Sequence, residues 1–467
     1  MRLPRLWGRG RPKAKRKAKS LRVRLGPEAR GKARLAGAVL SAKKVRVRLP
    51  VRVPMPPAPR PRYRAEIREA PLPPTFFAPR VGIRSTIEPI GEKNLYVGRI
   101  VRLLEGESWK RTVGSYATID VSYPTRVLIL GSSGAGKTNL CKVLVEEYFD
   151  RDKDRQIFVL DNENEYPFMA RKSTDYARLG EFGLTPKAYP VRVISLQFVL
   201  DRYRDYLYSI SPTIELMPLK VDFRLINTPI LQLLTGFTDT KITPYLEPAI
   251  QNYIAAGDYS LEGLETAIDS CDTLTDRVKT GIIGWLNSPK AEEMLGEFDY
   301  SRIFGARRIN VFFFPTAVFS SFEEITAWAV FFSAFVRRIA EERNVPIFAV
   351  LDEAREYAKA LHSRKAVRQE IGAIFTKGRK RDIDAAISTN SPEILSDILP
   401  NVTHAFYLRF RGTSMPMGRR LYPSDRIREE VEGLPRYHAV MDSPDEDITA
   451  VVRIRPARSF NPPHRRA

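Results

Sequence analysis

The chain has 467 residues, is 43% hydrophobic and 28% charged, and carries a net charge of +22 with only two cysteines. That length supports two or three domains with a sizeable core, and the composition is that of a soluble globular protein rather than a fibrous or disulfide-stapled one. No apolar run reaches the 18 residues of a membrane span, no apolar h-region follows the charged N-terminus, and Cys141 and Cys271 lack partners at metal-ligand spacing, so a cytoplasmic protein with reduced thiols and no membrane contact is expected.

In chain order, the first element is a tail. Residues 1–64 hold 22 Lys or Arg against a single acid, Glu28, so almost all of the +22 sits there and the remainder is close to neutral. Residues 1–75 read as a basic, Pro-rich, disordered segment, because such a composition buries too little surface to offset the entropy of ordering. Val45, Val51 and Val53 alternate with Arg in places, so a short basic strand is one alternative. The tail can clamp nucleic acid through its phosphates, serve as a solubilising extension, or lie upstream of a true start at Met55. Residues 80–124 read as a small β-module, with strands at Tyr96-Val97-Gly98-Arg99-Ile100-Val101 and Tyr116-Ala117-Thr118-Ile119-Asp120-Val121.

Residues 125–460 read as the core. Arg126-Val127-Leu128-Ile129-Leu130 is an apolar strand, and Asn139 to Tyr148 a helix with Leu140, Val143, Leu144 and Tyr148 on one face. Between them lies Gly131-Ser132-Ser133-Gly134-Ala135-Gly136-Lys137-Thr138, which fits the phosphate-loop pattern. Backbone N–H groups of such a loop wrap the phosphates, the lysine reaches the β- and γ-phosphates, and the Thr hydroxyl holds Mg²⁺. Residues 131–139 are therefore the expected nucleotide contacts, with ATP and Mg²⁺ as cofactors. Further strands are expected at Gln156–Asp161, Val191–Leu196, Ile309–Phe314, Pro346–Asp352, Ala385–Ser388 and Ala405–Leu408. A helical insertion spans about 200–305, where Thr273-Leu274-Thr275-Asp276 reads as a capping-box-like helix start and Val278, Ile282 and Trp285 point inward. Ile325 to Val336 is a 12-residue apolar stretch containing Thr326 and Ser333 and ending at Arg337-Arg338, which reads as a buried core helix. Apolar strands alternating with helices imply a parallel-type sheet covered on both faces, an α/β fold.

Three further segments carry chemistry. The strand ending in Asp352-Glu353 places a carboxylate where a nucleotide-bound Mg²⁺ needs one, and Glu353 beside it where an attacking water is oriented or deprotonated. Asp161-Asn162-Glu163-Asn164-Glu165-Tyr166 follows another strand at the same sheet edge, so Asp161 or Glu165 is a candidate for the Mg²⁺ shell or for a neighbouring subunit, with a plain polar loop as the alternative. Lys377-Gly378-Arg379-Lys380-Arg381 offers Arg379 as a guanidinium for a γ-phosphate, and Asn390, at the end of the following strand, as a γ-phosphate or water sensor.

In this order the motifs resemble the HerA–FtsK class of DNA translocases, and the HerA branch most, over about residues 80–460. Gly131–Thr138 is similar to that family's first motif, Asp161-x-x-x-Glu165-Tyr166 to its acidic signature, and Asp352-Glu353-Ala354 to its second nucleotide motif. Gly378-Arg379-Lys380 leading to Ser388-Thr389-Asn390-Ser391-Pro392 resembles its arginine segment and sensor strand. Gly433-Leu434-Pro435 to Arg453-Ile454-Arg455-Pro456 resembles its closing β-ribbon. The resemblance implies a RecA-like P-loop NTPase core and a homohexamer holding DNA in its pore. It further implies ATP between subunits, Arg379 reaching the neighbour's site, and docking to a NurA-type nuclease. Three features depart from the family: Asn390 stands where Gln is usual, the β-module is shorter than a HerA barrel, and the basic tail has no counterpart. The expected function is an ATP-hydrolysing, ring-forming DNA translocase or helicase. The alternatives are a viral or conjugative DNA-packaging or transfer ATPase built on the same core, and a non-motor nucleotide-binding DNA scaffold.

Overall fold

A computed structural model describes residues 91, 93–112, 115–237, 242–319, 322–354, 371–376, 378–390, 398–410 and 424–462, with the side chains at 233, 322, 323, 379 and 380 excepted. The expected tail of residues 1–75 and the basic strand around Val45–Val53 lie outside the described residues.

Among the described residues, thirteen strands form one sheet. They are β1 (Asn94–Glu105), β2 (Ser108–Arg111), β3 (Tyr116–Asp120), β4 (Arg126–Leu130), β5 (Gln156–Asp161), β6 (Val191–Ser195), β7 (Glu215–Pro218), β8 (Ile309–Phe313), β9 (Ile347–Leu351), β10 (Ile383–Thr389), β11 (His404–Leu408), β12 (His438–Ser443) and β13 (Ile448–Ile454). Their order is β2-β1-β13-β12-β11-β4-β10-β9-β5-β8-β6-β7, with β3 on β1. From β7 to β11 every neighbouring pair is parallel. β4, β8 and β9 are buried along their whole length, as near-continuous apolar runs require when both faces are covered. β12, β13 and β1 continue the sheet in antiparallel fashion, so the strands of residues 94–120 hydrogen-bond onto the core through β13.

The covering helices are α1 (Lys137–Arg151), α2 (Tyr176–Glu181), α3 (Gln197–Ile210), α4 (Thr228–Thr235), α5 (Thr243–Ala256), α6 (Leu261–Asp269), α7 (Asp276–Leu286), α8 (Pro289–Met294), α9 (Ser301–Phe304), α10 (Phe322–Arg343) and α11 (Asp425–Gly433). α1 is buried on nearly every side, including the polar Lys142 and Glu146. The apolar stretch in α10 is a core helix: Trp328 stacks on Phe314 with ring centroids 4.3 Å apart, and Phe335 packs edge-on to Phe158 and Phe312. Among the described residues, no helix is long and apolar enough to cross a membrane.

Two local expectations change. The 200–305 insertion is helical from α3 to α9 but also holds β7, a four-residue edge strand whose terminal Pro218 is tolerated because an edge has no further ladder to satisfy. α7 does begin after Thr275, yet Thr275 makes no side-chain cap. A capping box needs Glu or Gln at the third helical position, which here is Val278, and the nearby Thr273 hydroxyl donates instead to the Tyr245 carbonyl (2.7 Å).

Candidate nucleotide site

Parallel register builds the site. Leu130 at the end of β4 pairs with Thr389 of β10, and Ile387 of β10 with Leu351 of β9. The residues that follow each strand, namely Gly131, Asn390 and Asp352-Glu353, therefore emerge side by side at the carboxyl edge, where ligands of open α/β sheets bind. β10 stands between the phosphate-loop strand and the strand of the paired acids.

The loop is anchored from both neighbours. Gly131 N–H donates to the Thr389 carbonyl (3.2 Å), Ser132 N–H to the Arg409 carbonyl (3.1 Å), and Ala135 N–H back to the Ser132 carbonyl (3.1 Å). Glycine is required at both ends. A Cβ on Gly131 would stand 2.9 Å from Leu408 Cβ, and Gly136 has φ 113°, a conformation that L side chains rarely adopt. α1 begins directly after Gly136 with no side-chain cap and no acid in its first turn, so its terminal N–H groups and positive dipole end face the loop. Ser133 and Gly134 are exposed, Ser132 and Thr138 partly so, and Ala135 is buried against the sheet.

Lys137 is 3% exposed, and its Nζ lies 3.1 Å from Glu353 Oε1. Glu353 has φ 47°, a left-handed backbone uncommon outside glycine and a form of local strain that clusters at functional sites. Its N–H donates to Asp352 Oδ1 (2.9 Å) and to Ser388 Oγ (3.1 Å). The Ser388 hydroxyl donates to Asp352 Oδ1, and the Tyr166 hydroxyl to Asp352 Oδ2 (2.9 Å). Asp352 is thus held on both oxygens.

The acidic loop after β5 has a different job from the one expected of it. Asp161 Oδ1 accepts the N–H groups of Glu163 (3.1 Å) and Glu165 (3.2 Å), and Oδ2 that of Tyr166 (3.0 Å). It shapes the turn that delivers Tyr166 to Asp352. Burial pushes the Asp161 carboxyl up to about 6, against those three donors. Glu165 Oε2 lies 3.5 Å from Lys142 Nζ, an ammonium fully buried in α1. Both acids are engaged within this chain.

The Asn139 side chain is also turned away from the loop. Its Nδ2 donates to the Arg455 carbonyl (3.0 Å), and its Oδ1 accepts from Ala457 N–H (3.0 Å) and Asn461 Nδ2 (3.2 Å). Only its backbone is left to meet a phosphate. Asn390 sits at the tip of β10, partly exposed, with a buried Oδ1 that has no hydrogen-bond partner among the described residues. Arg379 lies in the short 3₁₀ turn Gly378–Arg381, with its side chain outside the described residues, as are Ser391 and Pro392. Arg381 pairs with Glu341 on α10. Burial pushes the thiol of Cys141 well up, which keeps it protonated and inert.

The structure therefore brings Lys137, Asp352 and Glu353 together and adds Tyr166 and Ser388, whose hydroxyls hold the Asp352 carboxylate. The spacing Asp161-x-x-x-Glu165-Tyr166 was the available signal. Its meaning as one hydrogen-bonded turn needed the geometry.

Residues 109–269 match the family model described as Helicase HerA, central domain. No curated protein sequence matches the chain. Among solved structures, the chain is similar to VirB4 of Thermoanaerobacter pseudethanolicus, with 12% identity over 79% of this chain and 98% of that one and a TM-score of 0.50. It is also similar to the bacterial conjugative coupling protein TrwBdeltaN70 (13% identity, 80% and 99% covered, TM-score 0.48). A third similar structure is the genome packaging NTPase B204 from Sulfolobus turreted icosahedral virus 2 (11% identity, 73% and 99% covered, TM-score 0.30). Residues 109–269 are thus similar to the HerA central domain, and the fold is that of a P-loop ATPase.

Proposed function

We propose that this HerA-like ATPase hydrolyses ATP at the Gly131–Thr138 loop and uses the cycle to move DNA through a ring of its own copies. The observation that carries the hydrolytic part is the convergence of Lys137 and Glu353, with their charged atoms 3.1 Å apart beside a doubly held Asp352. In this reading Lys137 offsets phosphate charge, and Glu353 orients the attacking water and takes its proton. The bare Gly131 and Gly136 and the uncapped start of α1 suit a triphosphate. Thr138 and Asp352 would hold Mg²⁺, which when bound withdraws charge from the β- and γ-phosphates. The unpartnered Asn390 Oδ1 suits an acceptor for the attacking water. Arg379 would be donated to the γ-phosphate of a neighbouring copy.

DNA as the track suits the likeness of residues 109–269 to the central domain of a helicase; a homohexamer as the ring follows from the HerA resemblance of the motifs alone, and the short β-module of residues 80–124 speaks against a NurA-type nuclease as partner. DNA is supported also by the 22 basic residues of 1–64, which suit sequence-independent phosphate contacts. The test is ATPase activity with and without double-stranded DNA, alongside the native mass of the assembly. A hexamer whose turnover rises with DNA is expected. A DNA-insensitive monomer would overturn the motor and favour a nucleotide-binding scaffold.

A further inference from the structure

The phosphate loop has two flanks. On one, at the tips of β9 and β10, stand Asp352, Glu353 and Asn390, and the Lys137 ammonium turns toward them. On the other, toward β11 and β12, the wall is Leu408 and Tyr437. A Cβ placed on Gly136 would meet Tyr437 Cδ1 at 3.1 Å and Leu408 Cδ2 at 3.6 Å. A triphosphate laid in the loop with its terminal phosphate at Lys137 and the paired acids must send its nucleoside the opposite way. That direction leads along Tyr437.

Tyr437 is built as a fixed plate. It immediately precedes β12 and has φ 63°, a conformation that a bulky residue holds only when its surroundings force it. Its carbonyl accepts the Ile454 N–H at 2.8 Å, which ties the turn to the end of β13. The ring is only partly buried and carries two guanidinium groups. Arg178 Cζ lies 4.2 Å and Arg436 Cζ 4.7 Å from its centroid. Arg178 comes from α2 and is steadied by Asp175, with Nη1 3.1 Å from Oδ2. Three planar groups from two separate segments thus meet beside the last glycine of the loop.

Planar guanidinium and phenol faces attract an aromatic base by stacking and cation–π contact without reading its edges. We propose that Tyr437, with Arg178 and Arg436, forms the platform on which the base of a bound nucleoside triphosphate stacks. The platform rests on the phosphate-loop reading of Gly131–Thr138 and adds to it the nucleoside end of the ligand.

The test uses the full chain, titrated calorimetrically in Mg²⁺ with ATP and separately with inorganic tripolyphosphate, which offers the phosphates without a base. Tyr437→Ala and Arg178→Ala should each weaken ATP on the order of tenfold, the usual worth of one stacked base, and leave tripolyphosphate affinity where it is in the parent protein. Arg178→Ala, at a partly exposed position on α2, guards against a loss that reflects only repacking against Gly136. Unchanged ATP affinity, or equal losses for the two ligands, would overturn the platform. A parent protein that binds neither ligand would overturn the phosphate-loop reading, and the platform with it.

Discussion

Glu353, two residues past the end of β9, has a left-handed backbone and places Oε1 3.1 Å from Lys137 Nζ. The conformation is held by the Glu353 N–H, which bonds to Asp352 and Ser388, so the strained residue and the residue proposed to work on water are one and the same. Glu353→Gln keeps the shape and removes the proton acceptor. ATP binding should persist in this variant while turnover falls roughly 100-fold or more, measured as phosphate release under saturating ATP. Normal turnover would remove Glu353 from the mechanism. Asp161 gives a pH-dependent prediction. Its carboxyl titrates at about 6 in the fold against an ordinary value of 3.8, chiefly because it is buried. The ionised form is therefore disfavoured by folding. That cost is absent below the unfolded value and complete above the folded one. Relative to Asp161→Asn, the wild type should lose about 3 kcal/mol of stability as pH climbs through this window. Thermal melts of both proteins across the window check it, and a constant difference between them would refute it.

At the scale of elements, α1 is clamped from behind by the segment that follows β13. Arg455, fully buried, places Nη1 3.0 Å from Glu146 and Nη2 2.9 Å from Glu147. Glu146 also accepts the N–H groups of Arg458 (3.0 Å) and Ser459 (2.8 Å), and Asn139 and Lys142 of the same helix bond to residues 455–461. The helix that presents the phosphate loop is thus held by the last described stretch of chain. Removing the guanidinium leaves two buried carboxylates without their cation, so Arg455→Ala should cost about 3–5 kcal/mol. Arg204→Ala, which breaks a half-exposed pair with Asp201, should cost no more than about 1 kcal/mol. Chemical denaturation of the two variants measures the contrast, and similar costs would show that the clamp is not a load on α1. This clamp was not legible in the sequence. Arg455, one of three arginines between 453 and 458, and two acids on a distant helix have no periodic or spacing signal that pairs them.

For the whole molecule, charge and the proposed catalytic site occupy different parts of the chain. Residues 1–64 carry nearly all of the net charge, while the core that holds the proposed nucleotide site is close to neutral. In the proposed motor, that division assigns much of the DNA affinity to the tail. Deleting residues 1–64 should weaken DNA binding and flatten its dependence on salt, because each phosphate contact contributes about 0.9 to the slope of log affinity against log salt concentration. Binding measured over a salt series tests this, and an identical slope after deletion would make the tail a bystander. The ATPase rate without DNA should not change, since no residue of the site lies in the deleted segment.

The sequence by itself determined the α/β class, the phosphate loop, the paired acids and the HerA likeness, because each is a local pattern. A buried parallel strand must be an apolar run, and a loop that wraps phosphates must carry glycines and Lys at fixed offsets. The tertiary structure alone decided which strand ends become neighbours. The register of β4, β10 and β9 sets Lys137 against Glu353, and the Asp161 turn carries Tyr166 to Asp352. It also turned Asn139 from the loop to the C-terminal clamp and put Tyr437 beside Gly136. Those contacts join residues far apart along the chain, and no local rule of propensity or spacing encodes them. They exist only once the sheet has ordered its strands.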